Sequence, residues 1–204
     1  MSSEYRAHFE VELLNELKVV ASQFDGVSAS KNKLKFKRNK KNVAELTFDY
    51  LARVDSYVLI GLVNGGDIWE CSSAFAPPYK SNLFNDGCFS FISSGEQNKR
   101  FSLDLSGAIK IPRPDLVREV CGHIRRVLEE FYIPKILGCI VPTERTISDV
   151  IAAPDEYAYP AVFIHCAAKL DGAIVNKSLL DEAINSNKIV KDKSYDLPLL
   201  AAIA

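Results

Sequence analysis

Histidine is scarce in this chain. Its three copies, His8, His123 and His165, lie far apart with no metal-ligand spacing. Cysteine is not arranged for zinc either, because no C-x₂₋₄-C pair occurs. Neither G-x-G-x-x-G nor G-x-x-x-x-G-K-[ST] is present, which removes the usual phosphate cradles. The nucleophile elbow G-x-S-x-G is missing too. No apolar run approaches the roughly 18 residues a membrane span needs. The start, Met-Ser-Ser-Glu-Tyr-Arg, has no apolar h-region. These absences predict a cytoplasmic protein with no cofactor, no metal, no membrane partner and no catalytic residue that a motif reveals.

The five cysteines, Cys71, Cys88, Cys121, Cys139 and Cys166, are odd in number and widely spaced among apolar neighbours. That usage fits a reducing compartment, where cysteine serves as a small hydrophobe. Cys121 and His123 are two apart on an expected helix and so do not face each other. His165 and Cys166 meet the same objection. A pair assembled from distant segments, such as Cys88 with His123, stays open but is outweighed by the core reading. The acids Asp104, Asp115, Glu129, Glu130, Asp149, Asp155 and Glu156 fall mostly at helix ends or on charged faces, where dipole and solvation account for them.

What the chain does have is a clear hairpin. Leu34 and Phe36 alternate with Lys33, Lys35 and Lys37, and Ala44, Leu46, Phe48 and Tyr50 alternate with Val43, Glu45, Thr47 and Asp49. The polar stretch Arg38–Asn42 separates them. A period of two on both sides of a polar turn is the pattern of a half-buried ribbon. The same ribbon concentrates charge. The net charge is −1, from 25 basic and 26 acidic residues. Residues 31–41 hold seven of the positive charges and no negative one, so the remainder carries 18 against 26, or −8.

Around the hairpin the chain reads as helix, then strands, then helices. An amphipathic helix is expected over 3–24, with Phe9, Leu13, Leu17, Val20 and Phe24 in one stripe and Asp25-Gly26 ending it. Tyr57–Val63 reads as a central strand. Asn64-Gly65-Gly66-Asp67 reads as a tight turn with no helix after it, and Ile68–Cys71 as the return strand. Residues 72–87 form a long loop, and Cys88–Ile92 and Phe101–Leu105 are further strands. A helix from Pro114 carries Leu116, Val120, Ile124 and Leu128 and is closed by Pro134. Ile136–Val141 fits strand or helix. Short helices follow over Thr146–Ala152, Pro160–Leu170 and Asn176–Ile184, then an apolar tail to Ala204. Segregation of this kind predicts one α+β domain over 1–204. It has an antiparallel sheet of about six strands (region 33–105), with the first helix and a helical half (113–185) on one face and the tail at 195–204.

Two stretches are candidates for function. The cationic ribbon, through Lys35, Lys37, Arg38, Lys40 and Lys41, suits an acidic partner. Nucleic acid is the weaker alternative, because Phe36 falls on the core side and cannot offer a stacking face. Lysines that guard an edge strand against other chains are the competing explanation. The loop 72–87 carries Tyr79 and Phe84, aromatic groups suited to anchoring a partner. Plugging one end of the sheet is the alternative there. An enzyme with a site scattered through the sequence would show a deep pocket holding a shifted Cys, His or carboxylate.

The layout resembles a loose group of small bacterial α+β proteins of unknown function. The shared features are the helix Phe9–Leu17, the basic strand Leu34-Lys35-Phe36-Lys37-Arg38, and a late helix ending Phe131-Tyr132-Ile133-Pro134. It also resembles immunity proteins of bacterial toxin systems, which act by stoichiometric blockade. The resemblance implies a non-enzymatic, inhibitory binding protein whose partner is a toxin or an enzyme. It carries over no functional residue.

Overall fold

The computed structural model describes residues 3–95, 100–101, 107–170 and 172–203. The chain divides into two compact units, each built from two segments: Met1–Gly61 with Phe91–Pro134, and Leu62–Ser90 with Lys135–Ala204. No stretch rich in Gly, Ser or Pro marks this division. The architecture is α+β: an N-terminal helix, a six-stranded antiparallel sheet and a helical C-terminal half. Among the described residues no helix is long and apolar enough to cross a membrane.

In the first unit, α1 (Ser3–Ser22) buries Phe9, Leu13, Leu17 and Val20, the expected stripe. It stops before Phe24, and Gly26 takes the left-handed turn (φ 76°) that leads into β1 (Val27–Ser30). β1 is a strand that its short, weakly apolar sequence does not announce. β2 (Lys33–Arg38) and β3 (Lys41–Leu51) are the expected hairpin. Leu34 faces Leu46 and Phe36 faces Ala44, with a bulge between Phe36 and Lys37. Leu34, Phe36, Leu46 and Phe48 are all buried. Each such side chain contributes about 1.5–3 kcal/mol by leaving water. α1 packs on β1 and on α3 (Val117–Val127), which buries Val117, Cys121 and Ile124.

The sheet order is β1-β2-β3-β4-β5, with β4 at Ser56–Val63 and β5 at Phe89–Ile92. The short β6 (Ile109–Lys110) also pairs with β4. β4 is the buried central strand its sequence predicts. Gly61 has a packing role there, since a Cβ would lie 2.1 Å from the Phe91 ring. The expected strand Phe101–Leu105 lies, beyond Phe101, outside the described residues.

Two expectations are corrected. Ile68–Cys71 is not a return strand but part of α2 (Asp67–Ser72). Gly66, at φ 97°, sits against Ile140 with no room for a side chain, and Asp67 and Glu70 favour the first helical turn. The sequence Asn-Gly-Gly-Asp therefore launches a helix instead of closing a hairpin. Pro134 does not close its helix either. A π turn over Leu128–Tyr132 joins α3 to α4 (Ile133–Ile140), so Ile136–Val141 is mostly helix. In a regular helix the Pro134 ring would strike the carbonyl of Glu130, and the wider turn relieves this.

The second unit contains α2, α4, α5 (Thr146–Ala152), α6 (Pro160–Lys169), α7 (Lys177–Asn185) and α8 (Lys193–Ala201). The boundaries of α5 match the expectation. Asn176 caps α7 by accepting from the Leu179 N–H at 2.9 Å. The apolar tail becomes α8, which packs on α6 of its own chain and buries Leu200.

Candidate functional site

The cationic ribbon belongs to the first unit. β2 is flanked by β1 and β3, so its lysines do not guard an edge. Pairing places Ser28 and Ser30 beside Lys35 and Lys33 on one side, and Glu45 and Thr47 beside the same two on the other. Because side chains alternate, these six residues form one polar face while Leu34 and Phe36 point the other way into the core. Lys33 pairs with Glu45 at 3.0 Å. Lys35, Lys37, Lys40 and Lys41 have no ion-pair partner among the described residues. Lys37, Lys40 and Lys41 are exposed, while Lys35 and Arg38 are half-buried.

The turns at both ends of β2 hold a lysine in the left-handed region. Asn39 (φ 50°) and Lys40 (φ 66°) form the two-residue turn closed by the pair Arg38 and Lys41. Two successive positive φ angles define a type I′ turn, whose second position favours glycine. Lys31 (φ 51°) is the left-handed residue of the turn from β1 to β2, at its first position. A side chain in this conformation costs about 1–2 kcal/mol.

A groove of about 570 Å³ lies in the same unit, lined by Val11 and Leu14 of α1 with Asp49, Tyr50 and Tyr57 of the strands. Its two tyrosines are engaged. Tyr57 donates to Glu10 at 2.5 Å and Tyr50 to Asp55 at 2.7 Å. The Arg6 guanidinium lies over the Tyr50 ring at 4.8 Å. Burial first, then the Glu10 contact, raises the Tyr57 hydroxyl well above the usual phenol range, so it stays a neutral donor.

The second unit holds a cleft of about 450 Å³ built from α2, the loop 73–88 and α6. Trp69, Phe75, Phe84, Tyr159 and Phe163 line it, with Asp86 on its rim. Phe84 stands wholly in solvent. The loop is tied down without secondary structure. Trp69 donates its indole N–H to the Asp86 carbonyl at 3.2 Å, and Asn82 donates to the Tyr157 carbonyl at 2.9 Å. Tyr79 is half-buried and donates to Asp196 at 2.6 Å. Asp196, fully buried, also accepts from the backbone N–H groups of Lys191 and Asp192. Tyr79 thus ties the loop to the start of α8, whereas Phe84 is the exposed aromatic. Trp69 and Tyr159 were not singled out in sequence, because the helix carrying Trp69 reads locally as a strand.

Cys71 of α2 and Cys166 of α6 form a disulfide, with Cα atoms 5.8 Å apart. This departs from the expectation that all five cysteines are plain hydrophobes. Cys88, Cys121 and Cys139 are free and buried. Burial pushes the Cys88 thiol up to about 12, and burial together with Glu16 does the same for Cys121. Burial also raises the Cys139 thiol well above its ordinary value. A nucleophilic cysteine needs the opposite shift. Cys88 lies in the second unit and His123 in the first, where His123 Nε2 meets the Arg100 carbonyl at 2.8 Å. His165 is buried, bonded to the Leu199 carbonyl at 2.8 Å and edge-on to Phe75. Among the described residues no cluster of three or more His, Cys, Asp or Glu is placed to hold a metal ion. A helix does follow Gly65-Gly66, contrary to the expectation, but its six residues already carry two acids in the first turn. No protein-family model, curated protein or solved structure matches this chain.

Proposed function

We propose that the chain is a non-enzymatic binding protein that lays the cationic face of its β1–β3 meander on an acidic protein surface, in the manner of an inhibitor that blocks a toxin or an enzyme by contact. The carrying observation is the pair of lysines, Lys31 and Lys40, held at positive φ at the two ends of β2. Glycine would be the less strained residue at Lys40, so the turn gives up stability to keep a cation there. Lys35, Lys37 and Lys41 extend the positive strip between and beside the turns. The absence of an outward aromatic on this face favours a protein over single-stranded nucleic acid, whose sites supply rings for stacking, and the duplex is left to the test below. We propose a cytoplasmic location from the three buried, unpaired thiols, with the Cys71–Cys166 bond as the observation that counts against it. Recovery of an intact Cys71–Cys166 bond from thiol-trapped cells would instead assign it to an oxidising compartment.

The test uses two polyanions, poly-glutamate and a DNA duplex, against wild type and the K35E/K37E/K40E/K41E variant. Wild type is expected to bind poly-glutamate, with affinity falling as salt rises from about 50 to 200 mM, and the variant to lose it. Binding to the duplex alone would replace the reading with the nucleic-acid one. Failure of both at low salt would remove it.

A further inference from the structure

The aromatic cleft of the second unit has no part in a surface-charge mechanism, and its chemistry is of another kind. We propose that it binds an alkylammonium cation, held against its ring faces and drawn in by the Asp86 carboxylate. Its volume, about 450 Å³, lies in the range of small-ligand sites. Five aromatic side chains line it. Ring faces carry negative charge density and attract cations, most strongly at tryptophan. Asp86 is the one lining residue with a full charge, and its carboxylate has no partner among the described residues.

The lining is unsuited to the alternatives. It contains no Lys, Arg or His to meet an anion. Three of its donors are committed: Trp69 Nε1 to the Asp86 carbonyl, Ser72 Oγ to the Trp69 carbonyl at 3.0 Å, and Ser73 Oγ to the Glu70 carbonyl at 2.8 Å. Cys88 presents a neutral thiol. Phe84 fills no part of the core and stands at the lip, where it can lay its ring over a guest.

The cation has two sources, a free quaternary amine or a methylated lysine side chain on a peptide, and both share the same head group. Trp69 is the sole tryptophan of the chain, so its fluorescence reports on this cleft alone. The full chain is titrated with choline chloride, with its neutral isostere 3,3-dimethylbutan-1-ol, and with N-acetyl-trimethyllysine amide, sodium chloride serving as the ionic control. A saturable change in Trp69 emission is expected for the cations, and on the order of ten-fold weaker binding for the alcohol. Tighter binding of the lysine derivative than of choline identifies a peptide source, and the reverse order a free amine. Asp86→Asn is expected to weaken the cations several-fold and leave the alcohol unchanged. Its fold is safe, because the Asp86 backbone, not its side chain, holds Trp69. No cation response above millimolar concentration, equal binding of the alcohol, or cation binding indifferent to Asp86→Asn would each overturn the proposal. None of these results bears on the lysine face, which lies in the other unit and is probed with polyanions.

Discussion

At the scale of single residues, the clearest signals are side chains whose backbone or burial disagrees with their type. Lys40 occupies the second position of a type I′ turn at φ 66°. Lys40→Gly is therefore expected to stabilise the protein by about 1 kcal/mol, read as a rise in urea midpoint at unchanged slope. A fall would show that Lys40 makes a contact outweighing its strain. Tyr79 is the opposite case, an aromatic legible as a partner anchor but engaged internally by Asp196. Tyr79→Phe should cost about 1–3 kcal/mol, since it strips a charged acceptor of a donor. An unchanged midpoint would free Tyr79 for a partner. Asp149 is held above its ordinary value, chiefly by burial, with Arg145 and Lys135 opposing. A raised native value favours the protonated form. The stability it confers is complete below its unfolded value and is lost as pH rises through the native one. Asp149→Asn is thus expected to raise Tm at pH 7, and the gain should vanish as pH falls below about 4. A gain that grew toward acid would reverse the sign.

At the scale of elements, long periodic segments were legible, while the short ones divided: α5 and β5 were legible, β1 and α2 were not. The stripe of α1 and the alternation of β2 and β3 each repeat often enough to specify one conformation and one buried face. α2 is only six residues long, and Ile-Trp-Glu-Cys suits a strand as well as a helix. Its conformation follows from Gly66 packed on Ile140, a contact far off in sequence. The helix through Pro134 likewise depends on a π turn that no residue pattern announces. The same holds for the Cys71–Cys166 bond between α2 and α6, whose spacing of 95 residues implies nothing. Native protein should resist alkylation at neutral pH. Unfolded without reductant it should accept label at three thiols, and after reduction at five. Five without reduction would show that the bond does not form. Closing so long a loop contributes about 2–4 kcal/mol, so reduction should lower the urea midpoint accordingly.

At the scale of the whole molecule, a net charge of −1 conceals a strip of seven cations on a body of −8. Local field, not net charge, governs encounter with a charged surface within a Debye length of about 8 Å at physiological salt. The protein, with a pI near 6.3, is therefore expected to be retained on immobilised heparin at pH 7 and low salt. The K35E/K37E/K40E/K41E variant should flow through, and equal retention would deny the strip its role. Composition and periodicity alone determined the α+β class, the buried ribbon of Leu34, Phe36, Leu46 and Phe48, and the clustering of charge, because these are properties of neighbouring residues. Tertiary structure alone decided that β1 covers the flank of β2, that Tyr79 is tied down while Phe84 stands free, and that Trp69, Tyr159 and Asp86 share one cleft. Those outcomes depend on contacts between residues tens of positions apart, and such contacts leave no local period to read.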